Sequence, residues 1–407
     1  MTTDGKTAEG ALSDIRVIEL GQLIAGPFCG QLLGDMGAQV IKVEAPDTKN
    51  GPAGGDPMRR WGRTDTKLWW EVIARNKQAV SADLRMAKGQ DIVRQLCEHA
   101  DILIENFKPG TLERWNLSPE TLMATNPKLI VVRVSGYGQT GPYAARAGFG
   151  GIGEAFGGWR HVVGDADRPP ARMGISIGDT LAATYGCMGA LAALHERKRS
   201  GKGQIVDAAI YESVLQVMES LVPEYAVEGH VRERSGSILP GIAPSNVYAC
   251  RDGDYLIGAN GDAIFARLAT AMGQAGLSDD PRFATHEARG RNQSELDAII
   301  DDWTRQHTMA EVEALMIEHS VPAGRIYTAA DMMDDPHYRA REALIERPHP
   351  VHGTVTMANS FPKMSRTPGT VRTPAPQTVG QDNRAVYRDL LGLSDDAIRR
   401  LEADGII

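Results

Sequence analysis

Short β-branched runs alternate with stretches of helical spacing from near the start of the chain, and that alternation limits the folds open to it. Ile15–Leu20 (IRVIEL) and Gln39–Val43 (QVIKV) read as strands, and between them Pro27–Met36 carries small and apolar residues at helical spacing. Asp101–Glu105 (DILIE) and Lys128–Val134 (KLIVVRV) repeat the pattern, each after a helix-like stretch. Alternation of this kind predicts an α/β domain with a mostly parallel sheet. A strong helix is expected over Thr180–Lys198, where Ala182, Ala183, Gly186, Gly189 and Ala190 would let it pack closely on its neighbours. It ends in the basic turn Arg197-Lys-Arg-Ser-Gly-Lys-Gly, which places positive charge at the C-terminal end of the helix dipole. Gln204–Ala209 reads as a further strand and Ile210–Tyr225 as another helix.

Polar, glycine-bearing sequence from Glu228 to Pro244 then marks a boundary. Asn246–Tyr248 and Tyr255–Ile257, joined by Arg251-Asp-Gly-Asp, predict a hairpin. Helical segments follow at Ala263–Met272, Gln293–Gln306 and Met309–His319, a distinct α+β module. The pattern changes again near Asp335-Pro336. Gly353–Met357 is one more strand, and Thr367–Gln377 is proline-rich and extended. The expected organisation is a large domain from residues 1–224 and 336–407, formed by both chain ends, with a smaller α+β domain at 225–335.

Charge and cysteine content narrow the function classes. With 44 Lys and Arg against 52 Asp and Glu, the net charge is −8. No global basic field exists to hold a nucleic acid, although a local basic patch could hold a nucleotide-sized anion. Cys29, Cys97, Cys187 and Cys250 are widely separated, with neither zinc spacing nor the look of a disulfide framework. The polar, acidic start from Met1 to Asp14 lacks a secretory pattern. No apolar stretch reads as the ~20-residue span of a membrane helix. A cytoplasmic location without membrane partners is expected, and no metal site.

Gly136–Gly178, rich in glycine and proline, reads as a long irregular connection, and such loops usually carry function. Gly148, Gly150 and Gly153 within it form a literal GxGxxG, but no strand directly precedes them and GEAFGGW is a poor helix, so a dinucleotide site is not indicated. His349 and His352, separated by Pro350 and Val351, read as a solvated loop. Asp179 stands apart, because it follows Gly178 and opens the small-residue helix at Thr180. Its ordinary use would be as an N-cap. A carboxylate at a helix start after a glycine-rich loop is also stabilised as an anion and open to close approach by a substrate, which suits a nucleophile.

The run Leu20-Gly-Gln-Leu-Ile-Ala-Gly-Pro-Phe, with Leu33-Gly-Asp-Met-Gly-Ala-Gln-Val-Ile-Lys-Val-Glu, resembles the start of family III CoA-transferases, the formyl-CoA and carnitine CoA-transferase group. The resemblance continues through Arg75-Asn-Lys, Glu105-Asn-Phe-Lys-Pro-Gly, Ser135-Gly-Tyr-Gly-Gln-Thr-Gly-Pro, Gly178-Asp and Ser200-Gly-Lys-Gly-Gln. It spans about Leu12 to Ile407 in the family's order. It implies a Rossmann-like large domain, an interlocked homodimer, acyl-CoA and small carboxylic acid substrates, and no tightly bound cofactor.

The same resemblance implies that Asp179 is the catalytic carboxylate, forming an anhydride with the donor acyl group and then a thioester with CoA. Covalent intermediates of this sort split one difficult step into easier ones. Leu23, Ile24 and Ala25 would line the active site. Lys77, Asn106, Lys108, Arg114 and Tyr137 would contact CoA, the cations taking phosphate and the aromatic ring taking adenine. Formyl-CoA transferases carry glutamine where this chain has Ile24, and lysine where it has Ser135, which argues against an oxalate–formate pair. Arg60, Arg75 and Arg172 are candidates for the distal carboxylate of a dicarboxylic acid. Ser237-Ile-Leu-Pro-Gly-Ile-Ala-Pro-Ser-Asn-Val-Tyr resembles members that move CoA from succinyl-CoA to C4–C6 dicarboxylates such as itaconate, malate, citramalate or glutarate derivatives. The alternatives are a 2-methylacyl-CoA racemase, whose expected histidine is missing from Gln139–Gly153, and a non-catalytic CoA-binding protein, which would need no Asp179.

Overall fold

Six parallel strands carry the first unit of the computed structural model, which describes residues 10–47, 53–62 and 66–407. They are β1 (Arg16–Glu19), β2 (Gln39–Glu44), β3 (Lys77–Ser81), β4 (Ile102–Glu105), β5 (Ile130–Ser135) and β6 (Ile205–Ala209), paired in the order β3-β2-β1-β4-β5-β6. Every pairing is parallel, with Ile18 of β1 opposite both Ile41 of β2 and Leu103 of β4. Parallel strands need crossovers, and helices supply them: α1 (Ala25–Asp35), α2 (Leu68–Ile73), α3 (Ala87–Glu98), α4 (Thr111–Arg114), α5 (Pro119–Thr125), α6 (Gly150–Phe156) and α8 (Ile177–Ser200), with the short α7 (Trp159–Val162) between the last two in sequence and α9 (Ile210–Leu215) directly after β6.

Neighbouring residues on a strand point to opposite faces, and both faces are buried. Ile18, Ile41, Leu103 and Val131 belong to one apolar core with Val93 and Leu96 of α3, whereas Val17, Val40, Ile104 and Val132 belong to another with Cys29 and Leu33 of α1 and Ala183 and Ala190 of α8. This strand order is that of doubly wound α/β folds, and it reverses between β1 and β4.

The first unit comprises Met1–Trp159, Met173–Glu224 and Glu342–Ile407. Its last segment adds an antiparallel hairpin, β10 (Leu344–His349) with β11 (Gly353–Ala358), and then covers the edge strand β3. Asn76 N donates to Thr373 O (3.1 Å) and Asp83 N to Ile406 O (2.8 Å). Ala79 N donates to the Asp382 carboxylate (2.7 Å), and Ser81 N to the Asn383 side chain (2.8 Å). A sheet edge that would otherwise offer free N–H groups is thereby closed.

The second unit comprises Arg160–Arg172 and Tyr225–Arg341. Strands β7 (Ser245–Cys250), β8 (Gly253–Gly258) and β9 (Ala323–Arg325) form its antiparallel sheet, with Tyr248 opposite Tyr255. Helices Asp262–Ala271, Gln293–Thr304 and Met309–Glu318 pack Phe265, Leu268, Ile300, Trp303 and Met316 into its core with both tyrosines.

Several expectations change. Strand β3 was not foreseen at Lys77–Ser81, and the span 136–178 is not wholly irregular, since α6 and α7 lie within it. The helix expected over Ile210–Tyr225 stops at Leu215 and is followed by a separate one at Leu221–Glu228. At 24 residues α8 is long and apolar enough to cross a membrane, against the earlier expectation, but it serves as the crossover between β5 and β6 with Ala182, Ala183 and Ala190 in the core. His349 is not solvated. It is buried against Glu71, with Nε2 2.9 Å from Oε2, and its Nδ1 accepts the N–H groups of Val351 and His352.

Candidate active site

In a parallel sheet the strands' carboxyl ends and the N-termini of their crossover helices share one edge, and a reversal of strand order opens a crevice there. In the first unit β1 delivers Leu23, Ile24 and Ala25 to that edge, β4 delivers Asn106 and Lys108 and leads to Arg114, β5 delivers Tyr137, and α8 begins there with Asp179. These eight residues are therefore gathered at one edge of the sheet.

Asp179 does not take the N-cap position that is the ordinary use of an aspartate at a helix start. Ser176 holds that position, and Asp179 lies three residues in, within the first turn of α8, half-buried. A carboxylate there is stabilised by the N-terminal end of the helix dipole. Gly150, the first residue of α6, presses against it so closely that a Cβ built on Gly150 would collide with the Asp179 carboxylate and lie 2.8 Å from its Cγ. One turn later Glu154, only 1% exposed, accepts a long hydrogen bond from Gly178 N at 3.4 Å. A Cβ on Gly153 would sit 2.9 Å from Ile210 Cβ, and one on Gly136 3.0 Å from Gly148 Cα. The glycines of the literal GxGxxG thus bring α6 against α8 and α9, and no strand–turn–helix cradle for a dinucleotide surrounds them.

The turn before α1 rests on buried charge. Lys42 Nζ meets Glu19 Oε1 (3.0 Å), Asp56 Oδ2 (2.8 Å) and the carbonyl of Gly21 (2.7 Å). Asp56 accepts Leu23 N through both oxygens (3.0 and 3.2 Å), and Met58 N at 2.9 Å. Burial pushes the Asp56 carboxyl up, but the Lys42 ammonium and these N–H donors outweigh it and hold it below the usual carboxylate range. Leu23 itself takes φ +62°, a left-handed conformation costing a non-glycine residue about 1–2 kcal/mol. The side chains of Ile24 and Ala25 are buried, Ile24 against Met58, Trp70 and Ile73, so they do not line an open site as expected. What this turn can offer a ligand is backbone: the first N–H groups of an α-helix have no intrahelical acceptor.

Asn106 braces the same turn from β4, donating to Gln22 O (2.8 Å) and accepting Gln22 N (2.7 Å). Beneath it Arg133 Nε pairs with Glu105 Oε1 at 2.7 Å, and Glu105 Oε2 accepts Phe107 N at 2.8 Å, so the bend carrying Lys108 is tied down. Burial raises the Glu105 carboxyl despite that arginine. Lys108 and Arg114 are exposed, with Arg114 Nη2 donating to Thr111 Oγ1 at 2.8 Å. Tyr137 sits in an aromatic cluster with Tyr143, Phe156 and Tyr211, at centroid separations of 6.0, 5.4 and 6.5 Å. Arg146, passed over in the sequence, lies 3.4 Å above the Tyr143 ring, an exposed cation on the segment that leads into Gly150. Only its sign and its distance from Phe149 and Gly150 in sequence could have marked it.

Two expected ligand contacts are structural instead. Lys77 is buried, with Nζ on Glu19 Oε2 (2.7 Å) and the carbonyl of Pro27 (2.7 Å), so it ties β3 to β1 and α1 and presents no charge to a phosphate. Arg75 is buried on Asp35 (Nη2 to Oδ2, 2.6 Å) and the carbonyl of Ala358 (2.7 Å), fastening α1 to β11, and does not face a substrate. Arg60 is exposed and donates to Gly54 O at 2.7 Å, while Arg172 is exposed and belongs to the second unit. Among the described residues no group of three or more His, Cys, Asp or Glu side chains has the arrangement of a metal site.

Residues 12–383 match the description CoA-transferase family III. The chain is 55% identical to the succinyl-CoA–D-citramalate CoA-transferase of Chloroflexus aurantiacus, covering 97% of this chain and 98% of that one. It is 39% identical to the beta subunit of the same organism's succinyl-CoA–L-malate CoA-transferase, covering 99% and 100%. The crystal structure of a CAIB/BAIF family protein from Brucella suis superposes with a TM-score of 0.82 at 33% identity, covering 94% of this chain and 100% of that one.

Proposed function

The chain belongs to CoA-transferase family III, and from that membership we propose that it moves CoA from succinyl-CoA to a C4–C5 dicarboxylate of the citramalate or malate type, with Asp179 as nucleophile. The support for the substrate class is likeness to transferases named for those two acceptors across nearly the full length of both chains. The observation that carries the catalytic assignment is the Asp179 carboxylate, in the first turn of α8 at the ligand edge of the sheet, with a glycine rather than a side chain against it.

In the proposed reaction a carboxylate oxygen of Asp179 attacks the thioester carbonyl, the C–S bond breaks, and a mixed anhydride forms with release of CoA thiolate. The thiolate attacks the aspartyl carbonyl of the anhydride, releasing succinate and leaving an aspartyl thioester. The acceptor carboxylate attacks that thioester and again frees the thiolate, which then takes the acceptor's acyl group and restores Asp179. No net proton is gained or lost, so the sequence needs no general base. Backbone N–H groups at the start of α1 would stabilise the oxyanions, as donors fixed in advance do in acyl transfer. Lys108, Arg114 and Asn106 would hold CoA, with Tyr137 beside the adenine, and Arg60 would pair with the distal carboxylate.

An interlocked homodimer belongs to the same proposal, supported by the family resemblance and by exposed apolar side chains on the first unit, Phe149, Ile152, Phe156 and Met188 among them. So does a cytoplasmic location, which four free thiols favour.

Succinyl-CoA incubated with the protein and a panel of dicarboxylic acids, followed by mass spectrometry of the CoA esters, tests the reading. A citramalyl- or malyl-CoA ester is expected in wild type and none with Asp179→Ala, and hydroxylamine should trap a hydroxamate at Asp179 in the digested protein. Loss of stereochemistry in a 2-methylacyl-CoA without any CoA exchange would instead make the protein a racemase.

A further inference from the structure

We propose that Asp56 is a positioning residue for the transfer reaction: its buried carboxylate clamps the Leu23 N–H and so holds the backbone at the start of α1 in the conformation that receives the thioester oxyanion. The proposal rests on the reading that this turn faces the reacting thioester.

The clamp is built from both sides. Asp56 takes the Leu23 N–H with both oxygens, at 3.0 and 3.2 Å, where a single acceptor would satisfy the donor. The same carboxylate is fixed by Lys42 and by Met58 N, and its own backbone N–H donates to Glu44 Oε2 at 2.7 Å. Glu44 is held in turn by Arg59 through Nε (2.8 Å) and Nη2 (2.7 Å). Lys42 reaches from Asp56 to Glu19 and to the carbonyl of Gly21, so the strand end, the turn and the clamp share one ammonium. Glu19, Lys42, Glu44 and Asp56 are each no more than 5% exposed.

A buried ionic set of this size gains little net stability over apolar packing of the same volume, and what it supplies is a fixed geometry. The geometry fixed here is a left-handed leucine, a conformation that persists only where its surroundings over-determine it. Two positions away the chain enters α1, so a change of φ at Leu23 would swing the first N–H groups of the helix relative to the preceding strand.

A double-mutant cycle separates positioning from stability. Asp56→Asn, which weakens the acceptor and its hold on Lys42, should lower kcat at least tenfold with the KM for succinyl-CoA changed less than threefold. In the Leu23→Gly background the left-handed conformation needs no clamp, and there the same Asp56→Asn change should cost less than threefold. Equal losses in both backgrounds, or an effect confined to KM or to the melting temperature, would overturn the proposal. Should Asp56→Asn not fold, Lys42→Met/Asp56→Asn takes its place, since it removes one buried cation with the anion and leaves Glu19 to Lys77. Hydrogen–deuterium exchange of the peptide 20–28 reads the clamp without substrate: faster exchange at Leu23 in Asp56→Asn is expected, and unchanged exchange sinks the idea. If the clamp is seen in this way while wild type moves no CoA between any pair of acids, the proposed function falls and the clamp stands.

Discussion

A methyl group on Gly150 would occupy the space of the Asp179 carboxylate, and the backbone at Gly150 is not in the left-handed region that would itself exclude alanine. Gly150→Ala should therefore fold, with stability within about 1 kcal/mol of wild type, because alanine gains up to about that much in helix propensity while the obstructing atoms belong to a side chain that can turn away. Activity should respond differently. Displacing the nucleophile by roughly 1 Å costs on the order of 100-fold in rate. Melting temperature and kcat measured on the same preparation decide the matter: a large loss of stability, or retention of more than half of kcat, would mean that Gly150 does not set the carboxylate's position. The same contact shows how much of the site can be read from residues alone. The proposed role of Asp179 came from the resemblance to family III CoA-transferases, whereas its place near the start of α8 was legible because a helix start after glycines is a local pattern. The roles of Gly150, Glu154 and Asp56 were not, since each depends on a partner brought in by tertiary packing. Lys77 and Arg75 misled for the related reason that a cation's sign is visible in sequence and its burial partner is not.

Helix α1 presents the next scale. Gly30 lies against the Glu19–Lys77 ion pair, where a Cβ would collide with Glu19 Oε2, lie 3.0 Å from Cδ and come within 3.5 Å of Lys77 Nζ. Gly30→Ala would gain about 1 kcal/mol of helix propensity but disturb a buried pair whose breakage costs about 3–5 kcal/mol. A net loss of about 2–4 kcal/mol is expected from urea denaturation, with an unchanged m-value, and a stabilised variant would mean that the helix can shift away without breaking the pair. The elements themselves were legible in proportion to how far local pattern agrees with tertiary use. Strands β1, β2, β4 and β5 are runs of Val, Ile and Leu because both faces are covered. Strand β3, KQAVS, is not such a run, since its first residue carries Lys77 to Glu19 and its edge is closed by the C-terminal segment. Helix α6 places three glycines among seven residues, a poor intrinsic former that exists because only glycine lets it approach α8 and α9 so closely.

Across the whole first unit, chain ends far apart in sequence complete one core. Ile398, Ile406 and Ile407 pack in the same cluster as Val93 and Leu96 of α3 and Leu103 of β4, and Ile406 O accepts the N–H of Asp83, just beyond β3. Removing Ser394–Ile407 would expose the apolar surface that these three isoleucines cover and leave that N–H without its acceptor. At about 1.5–3 kcal/mol for each fully buried isoleucine, the loss is about 4 kcal/mol or more, comparable with the whole stability margin of many domains. The truncated chain should therefore melt at least 10 °C lower or accumulate as insoluble protein. Its far-ultraviolet circular dichroism and thermal transition, compared with the full chain at equal concentration, carry the test. A truncated protein that melts like wild type would show that the last helix is dispensable to the core it packs into. Partial loss of CoA exchange at a temperature below both transitions would show that this end of the chain also supports the active geometry.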